Sequence, residues 1–125
     1  MKPVSHSTKE KNLLIIEDEA DMCLILNILL AGKEIKCDHV NSIARAKSYL
    51  QTTTPEIIIL DNKLQDGFGI DFISYIKYNY PNVGIIMISG YGSAKDLALE
   101  VGADIFLHKP FTKEELRNSV HALSN

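Results

Sequence analysis

A chain of 125 residues, 46% hydrophobic and 23% charged, has the size and composition of one globular domain with a sizeable core. Its net charge of −3 supplies no basic excess for binding nucleic acid. The polar N-terminus lacks the apolar stretch of a secretory signal and no run reaches the roughly 18 residues of a membrane span, so a cytoplasmic location is expected.

Residues 1–11 have no periodicity and read as a flexible leader, with His6 incidental and the folded domain at 12–125. A strand over Asn12–Ile16 leads through Glu17-Asp18-Glu19 into a helix over Ala20–Leu30. That helix holds more apolar residues than one stripe needs: Met22, Leu24, Ile25, Leu26, Ile28, Leu29 and Leu30. Burial against its neighbours is the default reading, and exposure for a partner is the alternative. Partial alternation over Ile35–Val40 predicts an edge strand with His39 on its surface. Cys23 and Cys37, the only cysteines, fall in these two elements and read as free buried thiols rather than a disulfide or half a metal site.

Asn41-Ser42 offers a cap for a helix carrying Ile43, Ala46 and Leu50, and Thr52 to Pro55 ends it. Four aliphatic residues, Ile57 to Leu60, then run into Asp61, the pattern of a buried parallel strand whose last residue emerges at the carboxyl edge of a sheet. Asn62 to Gly69 reads as a loop, and the next helix turns Phe72, Ile73 and Ile76 inward until Asn79-Tyr80-Pro81-Asn82 breaks it. Val83 to Ile88 is a further buried strand ending in Ser89. Ser89 to Ser93 opens a helix with Ala94, Leu97, Ala98 and Val101, which Gly102 stops. A last strand over Ile105–Leu107 runs through His108 to Lys109-Pro110, and Thr112 to Glu115 forms a capping box ahead of Leu116, Val120 and Leu123.

Five strands alternating with five helices predict an α/β fold, a parallel sheet covered on both faces. Open sheets of this kind place ligands at their carboxyl edge. There Glu17, Asp18 and Asp61 would meet Ser89 and Lys109. Three carboxylates repel one another, which proton uptake or a cation relieves. All-oxygen donors with few protein ligands suit Mg²⁺ and, beside it, a phosphate. Asp61 is then a candidate nucleophile toward phosphorus, with Lys109 and Ser89 as donors to the phosphoryl oxygens. Singly, each residue also reads as a cap, a loop start or a solvated charge; their shared edge makes the case.

Glu17-Asp18, Asp61 followed by Leu64, Asp66, Gly67 and Gly69, Ser89-Gly90-Tyr91-Gly92, and Gly102 through Phe111 together resemble the receiver domain of two-component response regulators. The resemblance covers about residues 12–124 and implies a flavodoxin-like, doubly wound five-stranded sheet in order 2-1-3-4-5 with five helices. It makes Asp61 the phosphoacceptor, Asp18 a direct Mg²⁺ ligand, Glu17 a ligand acting largely through water, and the backbone carbonyl of Lys63 a further ligand. Ser89 and Lys109 would contact the phosphoryl group, Ser89 and Phe106 would form the switch, and the Lys109-Pro110 bond would be cis. The output face would be the fourth helix, fifth strand and fifth helix, with a phosphorylation-dependent homodimer left open.

The implied partners are a sensor histidine kinase or histidine phosphotransfer protein, docking mainly through the first helix, and an unidentified downstream target. No nucleic acid or membrane contact is expected of this domain. Its chemistry is self-phosphorylation and self-dephosphorylation, without turnover of a separate substrate. Gln65 stands where the family often has proline, Glu17 where Asp is common, and Phe106 lacks the hydroxyl of the frequent tyrosine. Lys63 either screens the acidic pocket or reaches the phosphoryl group. The competing readings are a pseudo-receiver that only binds partners and a flavodoxin-like ligand-binding protein. The acidic Glu17-Asp18-Glu19 loop opposes the latter, since it repels phosphate without a metal.

Overall fold

The computed structural model of the chain describes residues 11–32 and 34–124, so the expected leader, save Lys11, and His6 within it lie outside the described residues. Seven strands and five helices follow in the order β1 Lys11–Ile16, α1 Ala20–Leu30, β2 Ile35–Val40, α2 Ile43–Thr52, β3 Ile57–Asp61, β4 Lys63–Leu64, β5 Gly67–Phe68, α3 Gly69–Asn79, β6 Gly84–Ser89, α4 Lys95–Val101, β7 Ile105–His108 and α5 Lys113–Ala122. The main sheet has the order β2-β1-β3-β6-β7 and all of its pairings are parallel. Counting only its own strands, that is the expected 2-1-3-4-5.

The aliphatic runs dictate this layering. Successive side chains of a strand point to opposite faces, so a strand apolar at every position must be covered on both. Leu14, Ile16, Ile58 and Leu60 pack with Ala46, Leu50, Phe72, Ile76 and Ala98 under α2, α3 and α4. Leu13, Ile15, Ile57 and Ile59 pack with Leu26, Leu30, Leu116 and Val120 under α1 and α5. Ile57 through Leu60 are all 0% exposed, and each such side chain stabilises the fold by roughly 1.5 to 3 kcal/mol. The central strand is thereby immobilised, and with it the residue that follows Leu60.

Caps fix the helix ends. Ser42 Oγ accepts the Arg45 N–H at 3.1 Å, and Thr112 and Glu115 form the expected capping box. Gly102 ends α4 at φ 125°, where a side chain would meet Lys77 Cγ at 2.9 Å. The last turn of α1 carries no basic residue, and Arg117 of α5 donates to the Leu29 carbonyl there at 2.9 Å.

Several expectations need correction. The segment read as a plain loop contains the two-residue antiparallel pair β4 and β5, because Gly67 can reverse the chain there. Helix α4 is only seven residues long and follows a 3₁₀ turn at Gly92–Ala94; Ala98 is buried, whereas Leu97 is 52% exposed. Cys23 is buried but Cys37 only partly so, as its edge strand is covered from one side. The default reading of α1 fails too. Leu24, Ile25 and Ile28 are 60%, 46% and 63% exposed, since the helix buries Cys23, Leu26 and Leu30 and packs Met22 and Leu29 only partly against the same core.

Candidate functional site

Strand register brings the site together. Ile16 pairs with Leu60, Asp61 with Ile88, and Ser89 with His108, so the residues that end each strand emerge side by side. Backbone bonds carry the alignment past the strands: Glu17 N–H to the Val40 carbonyl at 3.1 Å, and Lys109 N–H to the Ser89 carbonyl at 2.8 Å. The Asp61 backbone is packed against Gly69, where any Cβ would collide with the Asp61 carbonyl. A glycine is required at that position by space alone.

Glu17, Asp18 and Asp61 each offer a carboxylate oxygen, and these atoms lie within 4.8 Å of one another. Asp61 is 4% exposed and Glu17 0%, whereas Asp18 faces solvent. Lys109 Nζ donates to Asp61 Oδ1 at 3.0 Å and stands 3.9 Å from Glu17 Oε1, too far for a hydrogen bond. Glu17 Oε2 accepts the Glu19 N–H at 3.1 Å, but Oε1 is buried without a hydrogen-bond partner among the described residues. Burial, followed by the charge of Asp61, pushes the Glu17 carboxyl up to about 7. One lysine thus serves two buried acids incompletely. An orphaned carboxylate oxygen beside two further carboxylates is the donor set of a hard cation, so the residues fit a divalent ion.

Above the acids lies an open cleft lined by Asp18, Asp61, Lys63, Ser89, Tyr91 and Lys109, among others. Lys63 is exposed at its mouth. Ser89 is 2% exposed and its Oγ accepts the Tyr91 N–H at 3.0 Å, so the hydroxyl is held within its own turn. Phe106 does not join the cleft; it is partly buried against the core beneath α2, α3 and α4. The Lys109-Pro110 bond is cis, as the resemblance implies.

Two residues escaped the sequence reading. The sequence pattern places His39 on the surface, and it is exposed, yet its Nε2 bonds the Glu17 carbonyl at 2.8 Å. Asp66, noted only as part of a motif, accepts the Ile43 and Ala44 N–H groups at 2.9 and 3.0 Å and so caps α2 from the loop after Asp61. Those two bonds hold its carboxyl below the usual carboxylate range. The partners are 22 and 23 residues away, and no local pattern announces them.

A five-stranded parallel sheet covered by helices on both faces, with three acids and a lysine at its carboxyl edge, places the chain among the flavodoxin-like α/β domains. Within that class, the profile of the response regulator receiver domain matches residues 13–121, and the chain belongs to this family. It is a receiver domain of two-component response regulators. The response regulator protein PilR of Pseudomonas aeruginosa is 32% identical over 109 residues, 86% of this chain and 24% of that protein. KdpE, the KDP operon transcriptional regulatory protein of Escherichia coli, is 35% identical over 108 residues, 85% of this chain and 48% of its own. The chain therefore spans a quarter to a half of these relatives. Among solved structures, a putative response regulator from Chloroflexus aurantiacus is similar with a TM-score of 0.86 and 26% identity, covering 92% of this chain and 98% of that one.

Proposed function

We propose that this receiver domain takes a phosphoryl group from a phosphohistidine onto Asp61 and that the aspartyl phosphate switches a partner-binding surface. The observation that carries this reading is the contact of the Lys109 ammonium with buried Asp61 at 3.0 Å, inside a cluster of three acids. An Asp61 oxygen forms the new bond to phosphorus as the donor's phosphorus–nitrogen bond breaks, and the imidazole nitrogen leaves with the electron pair. Glu17, Asp18, Asp61 and the Lys63 carbonyl would hold Mg²⁺, which when bound supplies charge neutralisation for the phosphoryl oxygens. Lys109, now on Asp61 at 3.0 Å, would pass to those oxygens. Ser89 would exchange the Tyr91 N–H for the phosphoryl group, and Phe106 would turn inward with it.

The donor would be a sensor histidine kinase or a histidine phosphotransfer protein in the cytoplasm. Support comes from the apolar groove of Met22, Ile25, Leu29, Pro110 and Phe111, which also contains Lys109 and so adjoins the site. Leu24 and Ile28 of α1 are exposed as well. The downstream effector, and any homodimer formed on phosphorylation, belong to the output side of the same proposal. In Mg²⁺ and acetyl phosphate the chain should gain one phosphoryl group by intact mass. Chelation of the metal should stop the gain; uptake that persists without Mg²⁺ would refute the metal-dependent mechanism.

A further inference from the structure

We propose that His39 is a positioning residue for the acidic centre, fixing the peptide between Glu17 and Asp18 so that both carboxylates stay aimed at the cation. The proposal rests on the reading of the site as a Mg²⁺ centre. Residue 17 is the point at which β1 runs out: Ile16 is the last residue paired with β2, and α1 begins only at Ala20. The intervening turn carries two of the three acids. Its anchorage to the sheet comes from consecutive residues of the edge strand, through the Val40 carbonyl accepting the Glu17 N–H at 3.1 Å and His39 Nε2 donating to the Glu17 carbonyl at 2.8 Å.

The second bond acts on the metal ligands directly. A peptide group is planar, so holding the Glu17 carbonyl also orients the Asp18 N–H and the Asp18 Cα. Asp18 is exposed, and this plane determines where its carboxylate starts from. Glu17 has one methylene more than an aspartate, hence more rotamers to lose on binding. Its Oε2 is occupied by the Glu19 N–H at 3.1 Å, so its unpartnered Oε1 points correctly only while the 17–19 turn keeps its shape. Because a carbonyl has no proton to give, Nε2 must be the donor, which leaves Nδ1 bare in the neutral ring. Support of this type, one hydrogen bond behind a ligand, commonly matters to metal affinity about tenfold or more.

The test is equilibrium Mg²⁺ binding to the 125-residue chain by titration calorimetry, with thermal unfolding measured alongside. His39→Ala should weaken binding about tenfold, and His39→Gln, which keeps an N–H donor, should recover most of it. In acetyl phosphate the His39→Ala chain should need correspondingly more Mg²⁺ and yet approach the wild-type maximal rate. Nitrogen NMR of the wild type should show the Nε2–H tautomer. Tyr49→Phe is the control, since it removes a 2.6 Å bond to Asp38 on the same edge strand; it should lower stability and leave Mg²⁺ affinity unchanged. Unchanged affinity in His39→Ala, an equal loss in Tyr49→Phe, or no recovery by glutamine overturns the positioning role and spares the metal site. A wild-type chain that binds no Mg²⁺ overturns both.

Discussion

The two ends of the parallel sheet use the same kinds of side chain to opposite purposes. At the amino end, Asp104 Oδ2 accepts the Ile85 N–H at 2.8 Å and Lys77 Nζ at 3.0 Å, and Lys77 also donates to the Val83 carbonyl at 3.0 Å. One acid meets one lysine, with backbone groups taking up the remaining capacity. At the carboxyl end, Lys109 faces Asp61 and Glu17 together, and a Glu17 oxygen stays buried and unpaired. A folded chain leaves such a group unsatisfied at a cost, which is why the carboxyl end, and not the amino end, is the candidate ligand site.

The largest expected effect lies at the carboxyl end. Lys109→Ala should slow phosphoryl uptake from acetyl phosphate roughly a hundredfold, the scale for losing one donor to developing charge. Asp104→Ala should do the reverse, leaving uptake near wild type while denaturant unfolding shows a loss of about 2 kcal/mol, because the Ile85 N–H is left without its side-chain acceptor. Comparable effects of the two substitutions on both readouts would erase the distinction between the ends.

Glu17→Gln sharpens the contrast through pH. The folded chain retains the Glu17 proton up to about 7 from an ordinary value of 4.5, so it binds more protons than the unfolded chain between those values. Metal-free stability must therefore fall as pH rises through that window and stay low above it. Glu17→Gln should flatten that slope, raise stability above pH 7 by on the order of 3 kcal/mol, and weaken Mg²⁺ binding. Urea unfolding across the window, in chelator, reads the first two effects.

The smallest effect concerns Asp66, whose carboxyl lies below its usual range through the Ile43 and Ala44 N–H bonds. That stabilisation is present above the unfolded value and disappears as pH falls through the folded one. Asp66→Ala should cost about 1 kcal/mol near neutral pH and progressively less in acid.

What sequence could reveal follows from the range of each interaction. Continuous aliphatic runs ending in Glu17, Asp61, Ser89 and Lys109 are local signals, and the sheet register converts them into one edge. The capping box at Thr112 is local too. His39 and Asp66 act on backbone groups 22 and 23 residues away, and a histidine on an edge strand looks the same with or without such a partner. Helix α1 was ambiguous for another reason: its apolar surplus has no meaning until the neighbours that cover Cys23, Leu26 and Leu30, and leave Leu24 and Ile28, are in place. The short α4 was obscured because Gly92–Ala94 continues the helical pattern as a 3₁₀ turn.

Locating the acyl phosphate tests most directly whether Asp61 is the phosphoacceptor. Chain treated with Mg²⁺ and acetyl phosphate, then reduced with borohydride, should yield homoserine at position 61 by peptide mass mapping, and Asp61→Asn should yield none. Homoserine at Asp18 or elsewhere in place of Asp61, or undiminished phosphoryl uptake by Asp61→Asn, would contradict it.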